Sequence, residues 1–163
     1  MDYAIIAAGE GSRLVQEGVK WPKPLVQLNG TALIDRLINV FLKNDASSIS
    51  IIVNEEMTEV QEHLRKLELP VPFYLLVKST PSSMHSFYEL SHHLDSDHIC
   101  LTTVDTIFKE EEFGGYIQAF LKESQLDGLM AVTDFIDDEK PLYVDTDNDL
   151  VIRGFLDKQG EPP

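Results

Sequence analysis

Residues 2–14, DYAIIAAGEGSRL, run from a short apolar segment into two glycines and an arginine. The first six of these residues have the length and composition of a buried β-strand. The glycines follow at once, and residues without a Cβ atom let backbone N–H groups approach a phosphate or a nucleobase closely. A second cation, Lys23, follows Arg13 and lies between two prolines. We therefore predict a strand that leads into a ligand-binding loop with two cations beside it.

Beyond this loop, apolar strands alternate with amphipathic helices. Further strands are predicted at residues 48–54, 71–77, 98–104 and 127–135, and a hairpin over 141–155 turns at Asp147 and Asn148. Helices are predicted after an N-cap at Thr31 as far as Asn44, over 55–67, after an N-cap at Ser82 or Ser83, and over 110–122. This alternation predicts an α/β fold, in which a mostly parallel sheet carries helices on both faces. Ligands of such sheets bind at the carboxyl ends of the strands, where the glycine loop and Asp105 both lie.

Composition indicates one globular domain with a sizeable core, because 43% of the 163 residues are hydrophobic and 25% are charged. The net charge of −15 argues against binding to nucleic acids or anionic membranes. Only 13 lysines and arginines occur, yet Arg13, Lys20 and Lys23 lie close together with Glu17 as the one acid among them. This local excess of positive charge favours a small phosphorylated ligand, although a solvated loop would explain the charges alone.

The N-terminus carries neither a basic leader nor a long apolar span, which predicts a soluble, cytoplasmic protein. The single cysteine, Cys100, lies in a predicted buried strand, and we expect it to be a core thiol without a chemical role.

Other phosphate and metal motifs fit poorly. A dinucleotide fingerprint requires a third glycine where Leu14 stands, and no Gly-Lys-Ser/Thr of a P-loop occurs. The stretch from Asp145 begins like a calcium loop but has Leu150 where the glycine is required, so a hairpin turn explains it better. The five histidines show no zinc-binding spacing.

The two segments AAGEGSRL and WPKPLVQLNG resemble the N-terminal part of the sugar-phosphate nucleotidyltransferases, the nucleoside-diphosphate-sugar pyrophosphorylases. Phosphocholine cytidylyltransferases and molybdenum-cofactor guanylyltransferases are related members. Their signature is a strand ending in A-A-G, then G-x-G-[ST]-R-[LM], then P-K-P. The matching residues are Ala7, Ala8, Gly9, Gly11, Ser12, Arg13, Leu14, Pro22, Lys23 and Pro24. TTVDTIF resembles the segment that carries the metal-binding aspartate of the family, here Asp105. The resemblance implies a Rossmann-like nucleotide-diphospho-sugar transferase fold, with three αβα layers and a mostly parallel mixed sheet.

The residue types suit this chemistry. The planar guanidinium of Arg13 matches phosphate oxygens. The prolines on either side of Lys23 restrict its backbone, and Pro24 is expected to hold it extended. Asp105 suits Mg²⁺, which typically binds one or two carboxylates together with substrate phosphate. We expect this carboxylate to lack a cationic partner when no metal is bound, while a helix or turn cap is the alternative role for it.

The resemblance implies that a phosphorylated small-molecule acceptor attacks the α-phosphorus of a nucleoside triphosphate and releases pyrophosphate. Arg13 and Lys23 would be catalytic, and Asp105 would bind Mg²⁺. The nucleotide would be bound by Ala7, Ala8, Gly9, Gly11, Ser12, Arg13 and Lys23. A non-catalytic module that binds a nucleotide or a sugar nucleotide is the alternative function. A glycosyltransferase is a weaker one, because Thr103 stands where its D-x-D motif needs an aspartate.

The family usually carries a second metal-binding aspartate and further elements that close over the acceptor. We therefore expect residues 1–163 to form a nucleotidyltransferase domain without that acceptor side, which binds a nucleotide but transfers it slowly. Residues 77–90, VKSTPSSMHSFYEL, lie where many members have a glycine-rich segment that contacts the base, and they lack glycine. The nucleobase, the acceptor and the oligomeric state stay open.

Overall fold

The computed structural model describes residues 1–9, 18–136 and 141–158. The chain forms two compact units, Met1–Gly114 and Gly115–Pro163, which are described in turn. A single nucleotidyltransferase domain over residues 1–163 stays a prediction.

The first unit contains six strands and three complete helices within the described ranges. The strands are β1 (Asp2–Ala7), β2 (Gln27–Leu28), β3 (Thr31–Ala32), β4 (Ser48–Val53), β5 (Phe73–Val77) and β6 (Ile99–Thr103). The helices are α1 (Leu33–Lys43), α2 (Thr58–Arg65) and α3 (Ser83–Ser91), preceded by a short 3-10 helix over Lys23–Leu25. Helix α4 (Glu110–Lys122) begins in this unit and ends in the second one. The second unit adds β7 (Tyr143–Thr146) and β8 (Ile152–Leu156).

Four parallel strands form the main sheet in the order β5-β4-β1-β6. Every residue of β1 and β4 is buried, which explains their nearly continuous apolar sequences. The chain moves outward from β1 through β4 to β5 and then returns to the other side of β1 as β6. Such a reversal opens a crevice between the carboxyl ends of the two strands at which it occurs, here β1 and β6.

Alternating side chains of β1 pack against different helices. On one face the Tyr3 ring stacks on Phe41 of α1, with 4.3 Å between centroids, and Phe113 of α4 lies 6.3 Å from Tyr3. On the other face Ala4 and Ile6 share a buried cluster with Leu90 of α3. Helices therefore cover both faces of the sheet, and the predicted three-layer α/β architecture is confirmed.

Helix α1 begins differently from the prediction. Thr31 lies in β3 instead of capping the helix, and Ala32 occupies the N-cap position without a side-chain hydrogen bond. The cause is a tight hairpin in which Asn29 (φ 52°) and Gly30 (φ 82°) connect β2 to β3. An Asn-Gly pair is the preferred sequence for this turn, so the signal was present in the sequence.

The hairpin supplies a prediction about stability. Gly30→Ala should lower the free energy of unfolding by about 1–2 kcal/mol, because the positive φ of Gly30 disfavours an L side chain. A steric clash does not contribute, since an added Cβ meets nothing within 4 Å. Gly115→Ala is the matched control, since Gly115 lies in α4 without a positive φ and with equally open space around its Cβ position. That variant should gain about 0.5–1 kcal/mol from helix propensity. Urea denaturation of both variants measures the difference, and a loss of stability in both would contradict the argument.

In the second unit, β7 and β8 pair as the predicted antiparallel hairpin. The turn begins at Asp147, whose Oδ1 accepts hydrogen bonds from the backbone N–H groups of Asp149 (3.0 Å) and Val151 (2.9 Å), while Arg153 pairs with Oδ2. These hydrogen bonds hold the pKa of Asp147 below its usual range, and the bond from the Val151 N–H contributes most. The stretch that resembles the start of a calcium loop is therefore a hairpin turn.

The strand predicted over residues 127–135 is wrong. All of these residues are described, and they form an exposed, irregular segment. Its Leu129 carbonyl accepts a hydrogen bond from Tyr116 Oη of α4 at 2.6 Å. A strand forms only where a second strand pairs with it, and the apolar sequence by itself cannot supply that partner.

The structure also bears on the role of Cys100 and on membrane-spanning helices. Cys100 is buried in β6, as predicted for a core thiol, and burial raises its pKa to about 12. None of the helices in the described ranges is long and apolar enough to cross a membrane.

Candidate functional site

A cavity of about 120 Å³ opens at the carboxyl ends of β1 and β6, where the strand order reverses. Its wall combines residues from the ends of both strands, from the 3-10 helix and from the start of α3. These residues are Ile6, Ala7, Gly9, Lys23, Pro24, Ser83, Thr103, Val104 and Asp105. The structure thus brings together Ala7, Gly9, Lys23 and Asp105 from the predicted site. Gly11, Ser12 and Arg13 lie outside the described residues.

Lys23 reaches the cavity from the first position of the 3-10 helix. The turn closes when Leu25 N–H donates to the carbonyl of Pro22 at 2.9 Å, and Pro24 is buried beneath it. The prediction that Pro24 holds Lys23 extended is therefore wrong, because the hydrogen bonds of the turn impose helical backbone at Lys23. The proline-flanked lysine is nevertheless directed at the site, with only 32% of its side chain exposed.

Asp105 lies two residues beyond the end of β6 and forms an ion pair with Lys23, with 2.5 Å between Oδ2 and Nζ. Burial raises the pKa of Asp105, but hydrogen bonds from the Lys23 ammonium and the Thr103 hydroxyl outweigh burial, so the pKa lies below its ordinary value. The expectation that this carboxylate lacks a cationic partner without metal is therefore wrong. A metal ion that binds Asp105 has to compete with Lys23.

Two threonine hydroxyls lie near Asp105. The Thr103 hydroxyl bonds to the carboxylate and lies 3.0 Å from the Thr106 hydroxyl. Within the described ranges, no three or more His, Cys, Asp or Glu side chains come together as a complete metal cage. One carboxylate with neighbouring hydroxyls fits Mg²⁺, which keeps water and ligand phosphate as most of its ligands.

The backbone at the end of β1 is held by a residue absent from the predicted site. The side-chain amide Nδ2 of Asn54, the first residue after β4, donates to the carbonyl of Ala8 at 3.3 Å. Ala8 is partly buried and Gly9 is exposed, with nothing within 4 Å of the position of a Cβ at Gly9. The available signal was a polar residue immediately after a buried strand.

Helix α3 brings its N-terminus to the same cavity through Ser83. Ser82 is the N-cap, as predicted, and its hydroxyl accepts a hydrogen bond from the backbone N–H of His85 at 3.4 Å. The hydroxyls of Thr80 and Ser86 lie 2.6 Å apart and tie the preceding loop to the helix. A serine-capped helix thus occupies much of the glycine-free segment 77–90.

The sequence matches the profile of the MobA-like NTP transferase domain over residues 3–153. The chain belongs to this family. The predicted resemblance to nucleotidyltransferases is thereby confirmed.

Two curated relatives of the family share 28% identity with this chain. One is the bifunctional protein GlmU of Thermodesulfovibrio yellowstonii, matched over 123 residues that cover 75% of this chain and 26% of GlmU. The other is the 2-aminoethylphosphonate cytidylyltransferase of Lancefieldella rimae, matched over 111 residues that cover 66% of this chain and 44% of that protein. The chain thus spans about a quarter and less than half, respectively, of these relatives.

Solved structures support the fold. The inositol-1-phosphate CTP transferase of T. maritima superposes with a TM-score of 0.58 at 19% identity, over 88% of this chain and 51% of that one. HddC from Yersinia pseudotuberculosis superposes with a TM-score of 0.69 at 15% identity, over 98% of this chain and 70% of that one. The predicted Rossmann-like fold is confirmed by these likenesses.

Proposed function

We propose that this chain transfers a nucleoside monophosphate from a nucleoside triphosphate to a phosphorylated small-molecule acceptor and releases pyrophosphate. The observation that carries the proposal is the contact between Lys23 and Asp105 beside Gly9, in the crevice where the strand order of the sheet reverses. A flexible glycine, a cation and a carboxylate at such a crevice are suited to holding the phosphates of a nucleotide.

In this reaction an oxygen of the acceptor phosphate attacks the α-phosphorus, and the bond from that phosphorus to the bridging oxygen of the β-phosphate breaks. The bridging oxygen leaves with pyrophosphate. Lys23 would neutralise the negative charge that builds on the α-phosphoryl oxygens during the transfer, and Arg13 would hold the leaving pyrophosphate. The backbone at Ala8 and Gly9 would bind the nucleotide, with Gly11 and Ser12 continuing the loop.

Asp105, with the Thr103 and Thr106 hydroxyls near it, would hold Mg²⁺. When bound, Mg²⁺ supplies charge neutralisation for the phosphates. Lys23 would then change partner, from the Asp105 carboxylate in the free protein to the nucleotide phosphates in the complex. Such positive groups matter greatly here, because the protein as a whole carries a net charge of −15.

The names of similar proteins suggest probes for the acceptor. A 2-aminoethylphosphonate cytidylyltransferase, an inositol-1-phosphate CTP transferase and a putative glucose-1-phosphate thymidylyltransferase from Bacillus anthracis all resemble this chain. The proteins differ in nucleotide and in acceptor, so we propose only the shared chemistry, transfer of a nucleotidyl group to a phosphorylated or phosphonylated compound.

Nucleotide binding and pyrophosphate release together test the proposal. CTP, GTP, UTP and dTTP are each added with MgCl₂, and a raised melting temperature identifies the nucleotides that bind the folded chain. Pyrophosphate is then measured after addition of 2-aminoethylphosphonate, inositol 1-phosphate or glucose 1-phosphate. We expect release with at least one combination. No thermal shift with any of these triphosphates would contradict the proposal, and binding without release from any of the three acceptors would favour the alternative, a non-catalytic nucleotide-binding module.

A further inference from the structure

We propose that Asn54 is a positioning residue, which directs the backbone N–H of Gly9 into the cavity that holds Lys23 and Asp105. The inference rests on the proposed nucleotide-binding function of that cavity. It assigns to Asn54 no contact with the nucleotide, because its side chain acts through the peptide bond between Ala8 and Gly9.

The hydrogen bonds of Asn54 determine which way its amide group points. Only 6% of Asn54 is exposed, and its Oδ1 accepts from the backbone N–H groups of Glu56 (2.9 Å) and Met57 (3.1 Å), in the turn that leads into α2. An amide oxygen that accepts two backbone N–H groups leaves the NH₂ group on the opposite side. Nδ2 is therefore the atom that faces the Ala8 carbonyl, as its 3.3 Å contact requires.

The hydrogen bond from Asn54 to Ala8 lies just beyond the last paired residues of β1 and β4. The register of β1 with β4 stops at Ala7 and Val53, so backbone pairing with β4 does not continue to Ala8. A partly buried carbonyl needs a hydrogen-bond donor, and the side chain of Asn54, the first residue after β4, supplies one. The side chain thereby holds the first backbone carbonyl beyond the end of β1.

Peptide geometry carries this restraint to Gly9. A planar trans peptide places the carbonyl of Ala8 and the N–H of Gly9 on opposite sides of the chain. Strand β1 lies between β4 and β6, and Asn54 follows β4. With the Ala8 carbonyl held toward Asn54, the Gly9 N–H is directed toward the β6 side, where Asp105 lines the cavity.

Glycine makes this external restraint necessary. The φ and ψ angles of Gly9 are not limited by a Cβ atom, so the loop could rotate away from a binding geometry at little cost. A buried amide that also accepts two backbone N–H groups in the turn before α2 is anchored in the core, and it holds the first peptide of the loop in place. Prior orientation of this kind improves affinity, because less conformational freedom is lost on binding.

Asn54→Ser tests the inference, because a serine hydroxyl still accepts a hydrogen bond at the start of α2 but is too short to reach Ala8. Gln61→Leu is the matched control. Gln61 is buried at the same corner and donates to the carbonyls of Asn54 (3.1 Å) and Glu55 (3.2 Å), so its loss disturbs the corner while the bond to Ala8 is kept. The probe is whichever of CTP, GTP, UTP and dTTP, with MgCl₂, binds the unmodified chain most tightly.

We expect Asn54→Ser to weaken nucleotide binding about tenfold by titration calorimetry, and Gln61→Leu to change it less than twofold despite a lower melting temperature. Equal affinities for Asn54→Ser and the unmodified chain would overturn the inference and leave Asn54 a purely structural cap. Equal losses in both variants would also overturn it, because they would trace the effect to general destabilisation of the corner.

A ligand-free measurement separates this inference from the proposed function. In ¹⁵N–¹H spectra without nucleotide, the Gly9 amide signal should shift more in Asn54→Ser than in Gln61→Leu, because only the former releases the Ala8 carbonyl. If the unmodified chain binds no triphosphate but the Gly9 signal shifts as expected, the proposed function fails while the positioning geometry stands. An unmoved Gly9 signal in Asn54→Ser overturns the positioning geometry itself.

Discussion

Lys23→Met should slow pyrophosphate release by roughly 100-fold or more at saturating nucleotide, because a preorganised cation acts most strongly on charge that develops in the transition state. Methionine keeps an unbranched side chain of similar length and removes the ammonium group. Among the described residues, that group pairs with Asp105 at 2.5 Å, and the nucleotide would replace this partner in the complex. The melting temperature should change little, because half-exposed ion pairs contribute about 0–1 kcal/mol.

The control for this variant is a second lysine in an ion pair. Lys43 Nζ lies 3.1 Å from Glu110 Oε2, and both side chains are more exposed than those of the Lys23–Asp105 pair. Lys43→Met should therefore leave pyrophosphate release unchanged. If Lys23→Met releases pyrophosphate at a rate close to that of the unmodified chain, Lys23 has no role in transfer, whatever its position in the cavity.

Asp105→Asn should abolish the dependence of nucleotide binding on Mg²⁺, with a loss of affinity of roughly 100-fold at millimolar MgCl₂. Asparagine keeps the shape of the side chain and can still bond to the Thr103 hydroxyl. It removes the negative charge that attracts both Lys23 and a metal ion. Titration calorimetry with the tightest-binding triphosphate, with MgCl₂ and with EDTA, gives the metal-dependent part of the affinity directly.

A measurement of metal binding without nucleotide tests the role of Asp105 directly. Lys23 and a metal ion compete for the same carboxylate, so Lys23→Met should strengthen Mn²⁺ binding in the absence of nucleotide, while Asp105→Asn should weaken it. Electron paramagnetic resonance of free Mn²⁺ measures both. Glu110→Gln, which breaks the ion pair between Lys43 and Glu110, is the control and should leave the Mn²⁺ affinity unchanged. A decrease in Mn²⁺ affinity in Lys23→Met would contradict competition, and an unchanged affinity in Asp105→Asn would make Asp105 a structural cap.

Local sequence was sufficient for many elements because their signals act between near neighbours. The first strand was predicted at residues 2–7, as β1 has it, and helix 110–122 matches α4. Hydrophobic periodicity and capping depend on residues a few positions apart, so they can be read directly. The start of α1 differs from the prediction for an equally local reason, since the Asn-Gly turn places Thr31 in β3.

By itself, then, the sequence determined the α/β class and the ends of the strands that carry Gly9 and Asp105, because strand periodicity is a local property. Only the tertiary structure decided that Lys23 meets Asp105 across 82 residues of chain, and that Asn54 bonds to Ala8 across 46. It also decided that residues 127–135 form no strand. Each of these outcomes depends on which distant segment lies alongside, and the strand order of the sheet sets that arrangement through contacts that no local pattern encodes.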